Sequence, residues 1–370
     1  MTRRAGDTEA RDALEAALFE VKRVIVGQED MLERLLVALL AGGHVLLEGV
    51  PGLAKTLTVS TLADVLGGSF RRVQFTPDLV PADLVGTRVL RPGMDGFDVE
   101  LGPVHTNVLL ADEVNRAPAK VQSALLEVMQ ERQVSIGGQT FPVPRPFLVL
   151  ATQNPIESEG TYPLPEAQVD RFMFKLLLDY PSDHEEVAIV ARSLDRPAAV
   201  EQVLAPESLE RFQAAARDIY VDRAVARYAV DLVACTRRPL EFGLGEMLDQ
   251  VEFGASPRGS LNLVHAAQAL ALLRGRHYAL PRDVRDLARD ILRHRLVLTY
   301  EALAEGVTPD AILDRVLAAV SEPEVQLSRG EERDARVERG PVRPEAVVRS
   351  VPDEDRTAGG PDRLDPRPAA

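Results

Sequence analysis

The stretch Gly49-Val50-Pro51-Gly52-Leu53-Ala54-Lys55-Thr56 decides how this chain is read. An apolar run, His44-Val45-Leu46-Leu47-Glu48, precedes it, and a helix-forming stretch opens at Leu57. A strand, a glycine-bearing turn, a Lys-Thr pair and a helix start together make a phosphate cradle. The turn aims several backbone N–H groups at one anion, and the helix N-terminus adds partial positive charge. Lys55 reaches toward the outer phosphates, and the Thr56 hydroxyl suits a magnesium ion. The general pattern has glycine just before the lysine, where this chain has Ala54. An alanine is strained there if the position needs positive φ, and favourable if the helix has already begun.

A second element lies downstream in Asn107-Val108-Leu109-Leu110-Ala111-Asp112-Glu113. An apolar run ending in two acids reads as a buried parallel strand with carboxylates at its C-terminal end. Ligands of open α/β sheets sit at that edge. Neighbouring strand residues point to opposite sides, so the two acids divide the work. Asp112 suits the magnesium ion, and Glu113 suits polarisation of an attacking water. A third polar strand end, Gln153-Asn154, follows the run Pro146–Thr152. An amide there orients a water or meets the terminal phosphate, although a turn residue before Pro155 is the plainer reading of Asn154 alone.

The chain has 370 residues, enough for two domains and a tail, and 45% hydrophobic content, as in soluble globular proteins. No apolar stretch is long enough to cross a bilayer, and Met1-Thr2-Arg3-Arg4 leads into no apolar segment of a secretory signal. The lone cysteine, Cys235, reads as an inert core thiol. Together these features predict a cytoplasmic protein. A net charge of −14, no tryptophan and 5% aromatics argue against a nucleic-acid partner. The six histidines form no ligand cluster in sequence.

Residues 8–23 read as a helix, and Val24–Gln28 as a short strand-like segment that lies over a base ring. Strand-like runs follow at 44–48, 71–75, 107–112, 146–152 and 172–178, mostly separated by helical stretches. That alternation predicts a parallel sheet covered on both faces. Two excursions interrupt it: a Pro- and Gly-rich segment at 76–103, and a hairpin at 132–145 turning on Gly137-Gly138. From about Pro206 to Val320 the pattern is helical with a core of its own, on Val225, Tyr228, Ala229, Leu232 and Val233, then Leu261, Val264, Ala267 and Leu270, then Val284, Leu287, Ile291 and Leu292. The charged, Pro-rich segment from Ser321 to Ala370 reads as a disordered tail.

Taken together, these residues resemble the MoxR family of AAA+ ATPases over most of residues 20–300. The resemblance rests on Val26-Gly27-Gln28, the stretch Gly49–Thr56, Leu110–Ala117, Leu125–Arg132, Ala151–Pro155, Pro165–Phe172 and Ser256-Pro257-Arg258. It implies an α/β class fold, an αβα P-loop core over 1–200, followed by a helical lid over 201–320 and the tail over 321–370. It also implies ATP, Mg2+ and a homo-hexameric ring. By the resemblance, Gly49, Val50, Pro51, Gly52, Leu53, Ala54, Lys55, Thr56 and Leu57 hold the nucleotide, with Gly27 and Gln28 near adenine. Thr56 and Asp112 hold the metal, Glu113 activates water, and Asn154 senses the γ-phosphate. Arg258 resembles the lid arginine that contacts phosphate. Arg171, in Val169-Asp170-Arg171-Phe172, resembles the arginine that reaches a neighbour's ATP; its other reading is an ion pair with Asp170 or Glu166. Arg116 is a second candidate for subunit contacts. The two excursions resemble inserts that face a ring pore.

The family likeness implies chaperone-like remodelling of protein clients, including von Willebrand factor A domain proteins or metal enzymes. Alternatives are a nucleic-acid motor, a metal-chelatase-type ATPase subunit, and a non-enzymatic module switched by ATP.

Overall fold

Apolar runs whose successive residues face two opposite clusters explain the layers of this protein. The computed structural model describes residues 2–50, 53–90, 97–154, 160–194 and 199–324. Helices α1 (Thr2–Val24) and α2 (Glu29–Ala41) precede strand β1 (Val45–Gly49). Next come α3 (Lys55–Val65), β2 (Phe70–Gln74), α4 (Pro81–Val85) and a hairpin, β3 (Gly86–Leu90) with β4 (Phe97–Leu101). Then follow β5 (Val108–Asp112), α5 (Ala119–Glu131), the hairpin β6 (Gln133–Ile136)–β7 (Gln139–Pro142), β8 (Leu148–Gln153), α6 (Glu166–Val169) and β9 (Phe174–Leu178).

Strands β2, β5, β8, β1 and β9 form one sheet in that order, with every pair parallel. Val45 and Leu47, Val108 and Leu110, and Leu148 and Leu150 point into the apolar cluster beneath α1–α3. Their neighbours Leu46, Leu109, Ala111, Val149 and Ala151 point into the cluster beneath α5. The period of two thus builds the expected αβα core. Leu110 has no solvent exposure, so truncating it to alanine costs about 2–5 kcal/mol.

The hairpin at Gly137-Gly138 forms as expected; both glycines have positive φ, 58° and 83°, as a two-residue hairpin turn demands. Val24–Gln28 is no strand: α1 runs through Val24, and the chain then turns at Gly27 and Gln28, both left-handed. Backbone in that conformation cannot extend a sheet.

Beyond β9 lie α7 (Asp183–Leu194), α8 (Pro206–Arg217), α9 (Arg223–Arg237), a short strand β10 (Val251–Phe253), α10 (Pro257–Leu273), α11 (Pro281–Leu292), a second short strand β11 (Val297–Leu298), α12 (Tyr300–Ala304) and α13 (Pro309–Ala319). β10 and β11 pair antiparallel, a small sheet that the helical pattern had hidden. Asp222, Ser256, Thr299 and Thr308 cap their helices with side-chain oxygens. On α10 the buried face runs through Leu263, Ala267 and Leu270, and Leu261 is exposed. So many residues of α10 are apolar that two stripes compete, and packing selects between them. The core of these helices is not separate. It is continuous with the cluster under α1–α3 and the sheet, because α10 packs on α1, α2 and α8. The expected tail lies outside the described residues, apart from Ser321–Glu324. No described helix is long and apolar enough to cross a membrane.

Candidate nucleotide site

The C-terminal ends of β1, β5 and β8 bring the first group of expected residues together. Lys55 opens α3 and donates from Nζ to the Gly49 carbonyl at 2.6 Å, so the ammonium folds back over the loop. Burial lowers the Lys55 pKa, while the fields of Asp112, Glu113 and Glu48 oppose that shift. The ammonium therefore lies within electrostatic reach of both strand-end acids. Thr56 follows it in the first turn of α3. Ala54 caps this helix with φ 52° and ψ 23°. The position before the lysine is left-handed, so the alanine carries strain that a glycine would not. Pro51 and Gly52 lie outside the described residues.

Asp112 ends β5 opposite Gln74 of β2. Thr152 Oγ1 donates to Asp112 Oδ1 at 2.5 Å, and Glu113 N–H donates to the same Thr152 oxygen at 2.8 Å. Arg72 donates to Asp112 Oδ2 from Nε at 3.1 Å and from Nη2 at 2.5 Å. Glu113 stands on left-handed backbone, φ 56° and ψ 50°, which swings it away from the strand direction. Gln74 Nε2 donates to Glu113 Oε2 at 2.7 Å, and Arg116 Nε pairs with that oxygen at 2.8 Å. Arg116 therefore binds an acid of its own chain. The sequence reading missed Arg72, Gln74 and Thr152; the polar Gln74 and Thr152 at the ends of apolar strands were the available signal. Asn154 is buried just past β8, beside this edge.

Gln28 donates from Nε2 to the Leu53 carbonyl at 3.2 Å, which ties the 27–28 turn to the cradle. Among the described residues its Oε1 is buried without a partner. A buried acceptor without a donor matches the exocyclic amine of an adenine. Gly27 stands at φ 68°, a conformation that favours glycine, and a Cβ there would meet the Glu185 carboxylate of α7. The donor set fits a nucleotide and its metal: one ammonium and a helix N-terminus would suit phosphate, and a hydroxyl with one carboxylate would suit Mg2+.

Arg171 and Arg258 are elsewhere. Both line a cavity of about 270 Å3 with His44, Arg132, Asn262 and His265. His44 precedes β1 and Gly49 ends it, so this cavity lies at the opposite edge of the sheet, about 15–20 Å along the strands from the cradle. Arg171 makes no side-chain hydrogen bond or ion pair among the described residues. The alternative ion pair with Asp170 is absent: Asp170 binds Arg258 and Arg295 instead. Arg132, also left-handed at φ 56°, is fixed by the carbonyls of Gly42 and Phe147. His44 is fully enclosed. It accepts from Val149 N–H at Nδ1 and meets the Met129 carbonyl at Nε2, and burial pulls its pKa down to about 3. The core reading of Cys235 holds; burial pushes its thiol up to about 11.

Comparison with known proteins agrees with this geometry. Residues 44–174 match the model of the ATPase family associated with various cellular activities (AAA), and residues 249–316 match the AAA lid domain. Chaperone MoxR1 of Mycobacterium tuberculosis is 59% identical over 84% of this chain and 83% of its own length. This chain belongs to the MoxR family of AAA+ ATPases. Protein MoxR of Methylorubrum extorquens is 35% identical over 84% of the chain and 96% of its own length. A solved structure from Cytophaga hutchinsonii, 45% identical, superposes with a TM-score of 0.82 over 86% of this chain and 98% of that one. As a member of this MoxR family the protein binds nucleotide and hydrolyses ATP, and its sheet and lid are those of the AAA+ fold.

Proposed function

We propose that the protein works as a homo-hexameric ring that spends ATP on remodelling protein clients in the cytoplasm. The working division is an ATP-binding core over 1–200 and a lid over 201–320. Within each protomer, the 49–57 loop and Lys55 hold the phosphates, and Gln28 meets the base. Thr56 and Asp112 hold Mg2+, which when bound neutralises charge on the phosphates. Glu113 takes a proton from the attacking water, and Asn154 positions that water against the γ-phosphate.

One observation carries the ring. The cradle and the arginine cavity occupy opposite edges of one sheet, farther apart than an arginine side chain spans. Arg171 and Arg258 therefore serve the cradle of an adjoining protomer. A planar, permanently charged guanidinium suits the charge spread over a transferring phosphoryl group. The relative named Chaperone MoxR1 supports a protein client, and the family likeness points to von Willebrand factor A domain proteins. The test is a Glu113→Gln variant loaded with ATP. Sedimentation should give a six-fold assembly, and a client should co-purify only with ATP present. A monomer under these conditions, or DNA-stimulated turnover, would overturn the reading.

A further inference from the structure

Among the described residues Arg171 has no side-chain partner, yet the backbone on both sides of it is clamped. Arg295, between α11 and β11, has a side chain with no solvent exposure. Its Nη2 donates to the Asp170 carbonyl at 3.0 Å and to the Phe172 carbonyl at 2.6 Å, the two carbonyls that flank Arg171. Its Nε donates to the Asp170 carboxylate at 2.8 Å. That same carboxylate accepts from Ser256 Oγ at 3.1 Å on each oxygen and from Arg258 Nη1 at 3.2 Å. Ser256 is also the N-cap of α10, the helix that begins with Arg258. His294 adds a contact to the Phe172 carbonyl at 3.1 Å.

We infer that Asp170 and Arg295 are positioning residues that lock Arg171 and Arg258 into one rigid unit, so that the two guanidinium groups reach a neighbour's phosphates together or not at all. The inference rests on the lent-arginine reading above. A buried pair of this kind contributes little net stability against apolar replacements. Its effect is geometric: it joins a core segment at 170–173 to the start of α10 and the end of α11. A displacement of these helices therefore moves both arginines at once. A misplacement of roughly 1 Å at such a site costs about 10²-fold in rate.

The test uses the full chain assembled with ATP. Asp170→Asn should keep ATP affinity and lose about 10²-fold in kcat, with KM little changed. Because Arg295 is then buried without its partner, Asp170→Asn/Arg295→Met is made alongside and removes both charges. Each is then mixed with Glu113→Gln protomers, which have an inactive cradle but intact arginines. Turnover should recover in the mixture, since a Glu113→Gln neighbour supplies placed guanidinium groups to the intact cradle of the variant. Arg171→Ala mixed with Glu113→Gln is the reference. Recovery with Arg171→Ala but not with either Asp170 variant overturns this inference alone. Recovery in no mixture overturns the lent-arginine reading and the inference with it. Unchanged turnover of unmixed Asp170→Asn also overturns the inference.

Discussion

The two edges of the central sheet solve the problem of presenting charge in opposite ways. At the C-terminal edge the charged groups stand on or next to left-handed backbone. Ala54 and Glu113 are left-handed without being glycine, and so is Gln28 in the turn that touches the cradle. At the N-terminal edge the guanidinium groups stand mainly on relaxed backbone, and carbonyl oxygens around a buried arginine hold the segment in place. Among the described residues Arg132 is the one left-handed residue other than glycine there. Strain of this kind costs on the order of 1–3 kcal/mol per residue and persists where the surroundings over-determine it. A cradle must wrap a ligand closely, so its backbone bends out of ordinary regions. An arginine that reaches a neighbouring protomer, as proposed above, would need only a fixed base.

Four changes break or sharpen that contrast, taken in order of effect. Arg171→Ala removes the guanidinium proposed to act in trans and should lower turnover by roughly 10³–10⁵-fold while leaving ATP binding intact. Steady-state ATPase assays beside nucleotide titration check this; equal loss of binding would return Arg171 to the cradle's own edge. Glu113→Gln removes the proposed base while leaving the left-handed turn in place, and turnover should fall by about 10²–10⁴-fold with ATP still bound.

The third change concerns His44 at the N-terminal edge. Its folded-state pKa, near 3, lies below the ordinary value of 6.5. Between those values the unfolded chain binds a proton that the folded chain refuses, so stability rises with pH there and is lost on acidification. The slope contributed is on the order of 1 kcal/mol per pH unit. Urea midpoints at pH 7 and pH 5 should therefore differ less in His44→Gln than in the parent. The smallest effect belongs to Ala54→Gly, which relieves left-handed strain and should stabilise the fold by about 1 kcal/mol; a lower unfolding midpoint would mean that the entropy of the glycine in the unfolded chain outweighs the strain.

Much of the C-terminal edge was legible in the sequence because its elements are local. A strand, a loop and a lysine adjoin in the chain, and the acids of Asp112-Glu113 end an apolar run. All five core strands lie within two residues of their expected starts. The choice left open at Ala54 could not be made from composition, since it depends on a backbone angle. The clamp around Arg171 was invisible for another reason: Arg295 meets Asp170 and Phe172 across more than a hundred residues of chain. No spacing rule reaches that far. The supposedly separate core of the later helices failed similarly, because periodicity identifies an apolar face and not the surface it meets.

That shared core has a mechanical consequence. Helices α8–α11 and the underside of the sheet are greased by one unbroken seam of side chains, so the lid has no lubricated joint of its own within a single protomer. Calorimetry of the isolated subunit should record one melting event rather than two. In the proposed ring, motion between lid and core would then arise at the boundary between subunits.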